Sequence, residues 1–160
     1  MRLYHGSSLE VREPKLLKVQ RQLDFGKGFY TTTDLQQAIT WAKRTARIRR
    51  TGVPCVSVYE LDENVLKNLK VLRFENANEE WLSFVVKNRK GILMQKEWDL
   101  VWGPVANDQT MPTLILYMDG YLTESETISR LLPQKLKDQV VLKTQKALEG
   151  IHCVEVRHYE

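Results

Sequence analysis

Only two cysteines, Cys55 and Cys153, occur in 160 residues. Two thiols build no disulfide framework, and without a Cys-x-x-Cys pair there is neither a redox dithiol nor half of a zinc ribbon. The three histidines, His5, His152 and His158, lack zinc-ligand spacing. No apolar run approaches the about 18 residues of a membrane-spanning helix, and the opening Met-Arg-Leu-Tyr-His has no apolar signal region. The phosphate-loop pattern Gly-x-x-x-x-Gly-Lys-Ser/Thr and the dinucleotide pattern Gly-x-Gly-x-x-Gly are both missing, which excludes two common nucleotide-binding turns. Repeats, linkers and low-complexity tracts are absent too. The expectation is a cytoplasmic globular protein without a metal or a membrane partner, with specialised secretion still compatible.

The length is that of one domain, residues 1–160, with enough chain to bury a core. A formal charge of +4 permits an anionic partner without requiring one. Part of that charge is clustered in Lys43, Arg44, Arg47, Arg49 and Arg50. Such a run reads either as a solvated helix face or as a dock for an anionic target or cofactor phosphates.

The pattern predicts a strand over 1–5, a basic loop over 8–23, a strand from Phe29 to Thr32 and a helix over 35–50 capped by Asp34. A strand from Val53 to Leu61, a turn and short helix over 62–70 and a strand over 71–74 follow. A helix spans Asn78 to Lys90, and a strand begins at Asp99 and ends in Gly103-Pro104. Thr123 and Glu126 form the capping-box pattern of a helix over 121–132. Val140 to Thr144 reads as a strand, 145–149 as a helical turn and 154–159 as a last strand. Strands and helices mix without regular β-α-β alternation, so the fold class is α+β.

Residues 24–33, Asp-Phe-Gly-Lys-Gly-Phe-Tyr-Thr-Thr-Thr, concentrate the chemistry. Glycines let backbone approach a flat ligand, and the aromatic behind them offers a stacking face. Taken singly, each candidate is ordinary: His5 as a strand-end histidine, Tyr30 as a strand aromatic, Trp41 as a core residue of an amphipathic helix, Gln139 as a polar strand opener.

Taken together, these segments resemble the ADP-ribosyltransferase superfamily on its diphtheria-toxin and poly(ADP-ribose) polymerase side, marked by His, Tyr and Glu on three strands. His5-Gly6-Ser7 is similar to the first motif. Phe25-Gly26-Lys27-Gly28-Phe29-Tyr30 is similar to the second, with Trp41 at the place of a second stacking aromatic and Ala38 where the polymerases carry a serine. Gln139-Val-Val-Leu has the spacing of the third, with glutamine in place of glutamate. Gly103-Pro104-Val105-Ala106-Asn107-Asp108 is similar to a Gly-Pro-x-Ala-Asp-Asp segment of small bacterial proteins grouped with these transferases.

The resemblance implies split antiparallel β-sheets enclosing an NAD cleft, with peripheral helices. It implies NAD+ as substrate, bound by His5, Gly6, Ser7, Gly28, Tyr30 and Trp41, and His5, Tyr30 and Gln139 as the catalytic set. Gly6 would bond the nicotinamide amide through its backbone and His5 a ribose hydroxyl, while Lys27 closes the turn. Glutamine bonds a hydroxyl but supplies no negative charge. Either Gln139 suffices, or Asp108, Asp99 or Asp138 adds a carboxylate, or the protein binds NAD without turnover. The implied activity is mono-ADP-ribosylation of a macromolecule, protein rather than nucleic acid, as in a bacterial toxin, effector or defence component with a neutralising partner protein. An NAD glycohydrolase, an NAD or ADP-ribose binding module, and a nucleic-acid binder using the Arg-rich helix are the alternatives.

Overall fold

The computed structural model describes residues 1–17, 23–92, 96–107 and 109–160. Among the described residues, seven strands divide between two sheets. One is antiparallel in the order β1 (Arg2–Ser7), β3 (Cys55–Leu61), β7 (Ile151–His158). The other runs β2 (Phe29–Thr31), β6 (Asp138–Leu142), β5 (Leu100–Pro104), β4 (Val71–Arg73). The fold is α+β, as expected, with one departure from the split antiparallel pattern: β4 pairs with β5 in parallel. The helices are α1 (Leu35–Arg49), α2 (Glu63–Leu66), α3 (Glu79–Arg89), α4 (Met111–Met118), α5 (Glu124–Leu131) and α6 (Gln145–Leu148). Among the described residues, no helix is long and apolar enough to cross a membrane.

The period-2 alternation of the strands sorts their side chains into layers. Val56 and Val58 of β3 pack with Ala38 and Ala42 of α1. Tyr59 and Leu61 join Leu3, Phe29, Leu100, Val140 and Leu142 in the core shared by both sheets. Val101 and Val141, from the opposite face of the second sheet, pack with Trp81 and Leu82 of α3, Leu114 of α4 and Leu131 of α5. The order is therefore α1, first sheet, second sheet, then α3 to α5.

Helix ends follow local chemistry. The Asp34 side chain accepts from the Gln37 amide, Asn78 does the same for Trp81, and Thr123 with Glu126 completes the expected capping box. Arg50, in the left-handed region at φ 55°, ends α1.

The two sheets meet where Tyr4 and Thr32 exchange backbone hydrogen bonds of 2.8 and 2.9 Å. Beyond this bridge β1 and β2 separate, and the opening between them is the cleft. Gly6 is fixed by packing at the same place. A Cβ there would lie 2.0 Å from the Ala38 carbonyl oxygen and 2.8 Å from the Ala42 nitrogen, so only glycine lets α1 press this closely on β1.

Candidate functional site

Five residues from four separate parts of the chain line one cavity of about 360 Å³: His5, Gly6, Tyr30, Trp41 and Gln139. Strand β1 supplies the first two, β2 the third, α1 the fourth and β6 the fifth. Asp24, Thr45, Arg89, Val105 and Ala106 complete much of its wall. A second cavity of about 630 Å³ shares His5, Gly6 and Tyr30 with it and adds Ser7, Gly28, Arg49 and the described start of the 8–23 loop. Residues 18–22 of that loop lie outside the described residues.

The strand register aims the backbone of Gly6. Met1 and Leu61 exchange both hydrogen bonds, and antiparallel pairs alternate between bonded and unbonded. Arg2, Tyr4 and Gly6 therefore turn their N–H and C=O groups away from β3. Tyr4 uses its pair on Thr32. The Gly6 pair, two residues on, points from the same edge of β1 toward the opening.

His5 stands on the opposite face of β1 from Gly6. Its ring stacks on Phe29, with centroids 4.4 Å apart and 28° between planes. Its Nδ1 lies 2.7 Å from the Tyr30 carbonyl oxygen. A carbonyl only accepts, so Nδ1 carries the proton, and Nε2 of the neutral ring presents a lone pair. Burial lowers the imidazole pKa below its ordinary value, the Tyr30 carbonyl opposes that, and the Arg49 charge lowers it further. The neutral form is favoured accordingly.

Tyr30 splits its work between ring and hydroxyl. The ring lines both cavities. The hydroxyl donates to the Gly26 carbonyl at 2.6 Å and accepts from the Phe25 amide at 3.1 Å, clamping the turn that precedes its own strand. Burial pushes the phenol pKa well above its usual value. Lys143 clamps the same turn from the far side, donating to the Phe25 and Lys27 carbonyls at 2.5 and 2.7 Å. Desolvation pushes its ammonium down to about 8. Lys27 itself is exposed and joins the turn through its backbone.

Gln139 is buried, with 2 % exposure. Its Nε2 donates to Asp24 Oδ2 at 3.4 Å, so the amide turns its donor toward the carboxylate. Asp24, 4 % exposed, also takes the Ala106 amide at 3.2 Å on Oδ2 and the Arg89 guanidinium at 2.5 and 2.6 Å on Oδ1. Sequence reasoning passed over both members of this ion pair. The only signal was an acidic residue at the head of the glycine turn, because its partners stand 65 and 115 residues away.

Of the carboxylates expected to assist, Asp99 and Asp138 are engaged by neighbours and line neither cavity. Asp99 lies just ahead of β5, accepting from the Lys70 amide and the Thr144 hydroxyl, and does not line the cleft. These bonds, the Lys70 amide foremost, hold its carboxyl below the usual range. Asp138 is occupied by the Thr32 and Thr33 hydroxyls, the Thr33 amide and the Trp102 indole. Asp108 lies outside the described residues. Ser7 accepts from the Leu9 amide at 3.3 Å, stabilising its own turn, and reaches only the second cavity.

Chemically, the cleft offers a backbone donor and acceptor on Gly6, two aromatic rings, an imidazole lone pair and a positioned amide. That set suits a flat amide-bearing ring attached to a sugar. Among the described residues no cluster of three His, Cys, Asp or Glu is arranged to hold a metal. A family model described as "Protein of unknown function (DUF3990)" matches residues 1–153. No curated protein and no solved structure matches the chain.

Proposed function

The chain belongs to the DUF3990 family, and from that footing we propose that it is an NAD-dependent mono-ADP-ribosyltransferase acting on a macromolecule. The observation that supports this is the gathering of His5, Gly6, Tyr30, Trp41 and Gln139 around one cavity. In this reading the Gly6 N–H and C=O bond the nicotinamide carboxamide as a strand partner would. The Tyr30 and Trp41 rings stack on the pyridine, each pair contributing about 0.5–1.5 kcal/mol beyond area burial. His5 Nε2 accepts from a ribose hydroxyl, its orientation fixed by the Tyr30 carbonyl. The second cavity holds the adenosine half, with Arg49 beside it.

The bond between nicotinamide and ribose C1′ breaks through a state with positive charge on the sugar. Gln139 bonds a ribose hydroxyl through its acceptor oxygen, held outward because its donor faces Asp24. The Asp24 charge is balanced by Arg89 and adds little net field. The site therefore orients the ribose more than it stabilises charge, which favours transfer of a single unit over chain growth.

Incubation with NAD labelled on its adenosine half tests the reading. The wild type should release nicotinamide and place label on a macromolecule, and Gln139→Ala should lower turnover at least about tenfold. The long bond to the Asp24 carboxylate is worth about 1.5 kcal/mol, the low end for a charged acceptor, and Asp24 keeps Arg89 and the Ala106 amide, so the variant should stay folded. Label recovered only as free ADP-ribose would make water the acceptor and the protein a glycohydrolase. Absence of nicotinamide release would sink the enzyme reading.

A further inference from the structure

We propose that the basic groove beside the cleft is the acceptor site and takes the phosphodiester backbone of a single-stranded nucleic acid, an inference that rests on the transferase reading above. The groove, a cavity of about 430 Å³, runs along α1 past Lys43, Arg44 and Arg47 and is closed by Asn107 on the opposite wall. Trp41, Val105 and Ala106 line both this groove and the smaller cleft, so the two are continuous. A strand held in the groove reaches the bond that breaks.

Charge selects the occupant. Lys43 and Arg47 are exposed and stand one helical turn apart, a spacing at which like charges repel. Helix α1 contains no acidic residue to relieve them. An anion entering from outside removes that repulsion. The groove also carries groups that suit a base: the indole of Trp41 as a stacking face, and the amides of Gln37 and Asn107, each able to donate and accept on a base edge. Cationic groove plus aromatic platform is the combination that binds single strands without a fixed sequence. A duplex keeps its bases in the stack and could not present one to the cleft without flipping it out.

The transfer step balances simply. A ring or exocyclic nitrogen of the base, or a hydroxyl oxygen, forms the new bond to ribose C1′. The C1′–nicotinamide bond breaks with its electron pair leaving on nicotinamide, and the acceptor proton passes to solvent.

Fluorescence anisotropy of a 5′-labelled 20-nucleotide single strand, DNA and RNA in turn, tests the proposal on the full chain. The wild type should bind, with affinity falling steeply as salt rises. Lys43→Glu/Arg47→Glu should bind at least tenfold more weakly with a shallower salt slope, while its NAD affinity stays within twofold. Lys67→Glu/Lys90→Glu, with the same net charge at exposed positions elsewhere, should bind as the wild type does. Equal oligonucleotide binding by both double variants, no binding by the wild type, or preference for poly-glutamate overturns the proposal. Parallel loss of NAD affinity in Lys43→Glu/Arg47→Glu also overturns it, assigning the groove to the NAD phosphates. If NAD fails to bind any of the proteins, the transferase reading falls, and the oligonucleotide affinities still report separately on the groove.

Discussion

Gly6 carries two demands at one residue. Its missing side chain lets α1 approach, and its backbone groups are turned to the cleft by strand parity. A methyl added at this position meets helix backbone, which cannot rotate aside. Gly6→Ala should cost about 3 kcal/mol, lowering the melting temperature by about 6–12 °C for a chain of this size. A thermal melt checks this, and an unchanged midpoint would show that β1 and α1 are not packed as described. The sequence motif His-Gly-Ser draws attention to Gly6 but conceals its packing constraint, which comes from a helix more than thirty residues on. Asp24 shows the converse. Its place at the head of the glycine turn is the one local mark, and its partners Arg89 and Gln139 are too distant in the chain for a linear pattern to reveal.

The glycine turn between residues 25 and 28 acts as one element, held on one side by the Tyr30 hydroxyl and on the other by Lys143. Its geometry needs Gly26, whose φ of 76° lies in the left-handed region. Tyr30→Phe keeps the ring and removes one clamp. It should lower stability by about 1–2 kcal/mol, from the two lost hydrogen bonds, yet keep NAD affinity within about threefold. A chemical-denaturation curve paired with an NAD titration separates the two roles; loss of affinity as great as that of Tyr30→Ala would mean that the hydroxyl itself meets the ligand. Elements with punctuation were legible: α1 between Asp34 and Gly52, α5 by its capping box, β5 by its Gly-Pro end. Helix α4 was not. Met-Pro-Thr-Leu-Ile-Leu-Tyr-Met is apolar on nearly every side, so periodicity distinguishes no face, and Thr110 makes no side-chain cap bond. Strand β6 begins at Asp138, so Gln139 is its second residue, facing α3 with Val141.

At the scale of the whole molecule, the cleft exists because the edges of the two sheets are joined, among the described residues, by one backbone bridge at Tyr4 and Thr32 and diverge beyond it. Each sheet brings its own part: β1 the imidazole and the backbone pair, β2 and β6 the ring and the amide, while α1 closes the side with Trp41. The α+β class could be read from element order, because strands and helices failed to alternate. The parallel pairing of β4 with β5 could not, since three-residue strands carry no pairing signal. The layers in turn place the basic stripe of α1 outside the sheets and next to the opening.

Calorimetric titration of NAD into the wild type, His5→Ala and Tyr30→Ala tests the central claim most directly. One-to-one saturable binding by the wild type, weakened at least about tenfold in each folded variant, is the expected result. Absence of binding by the wild type, or equal affinity in all three proteins, would contradict an NAD cleft between these strands.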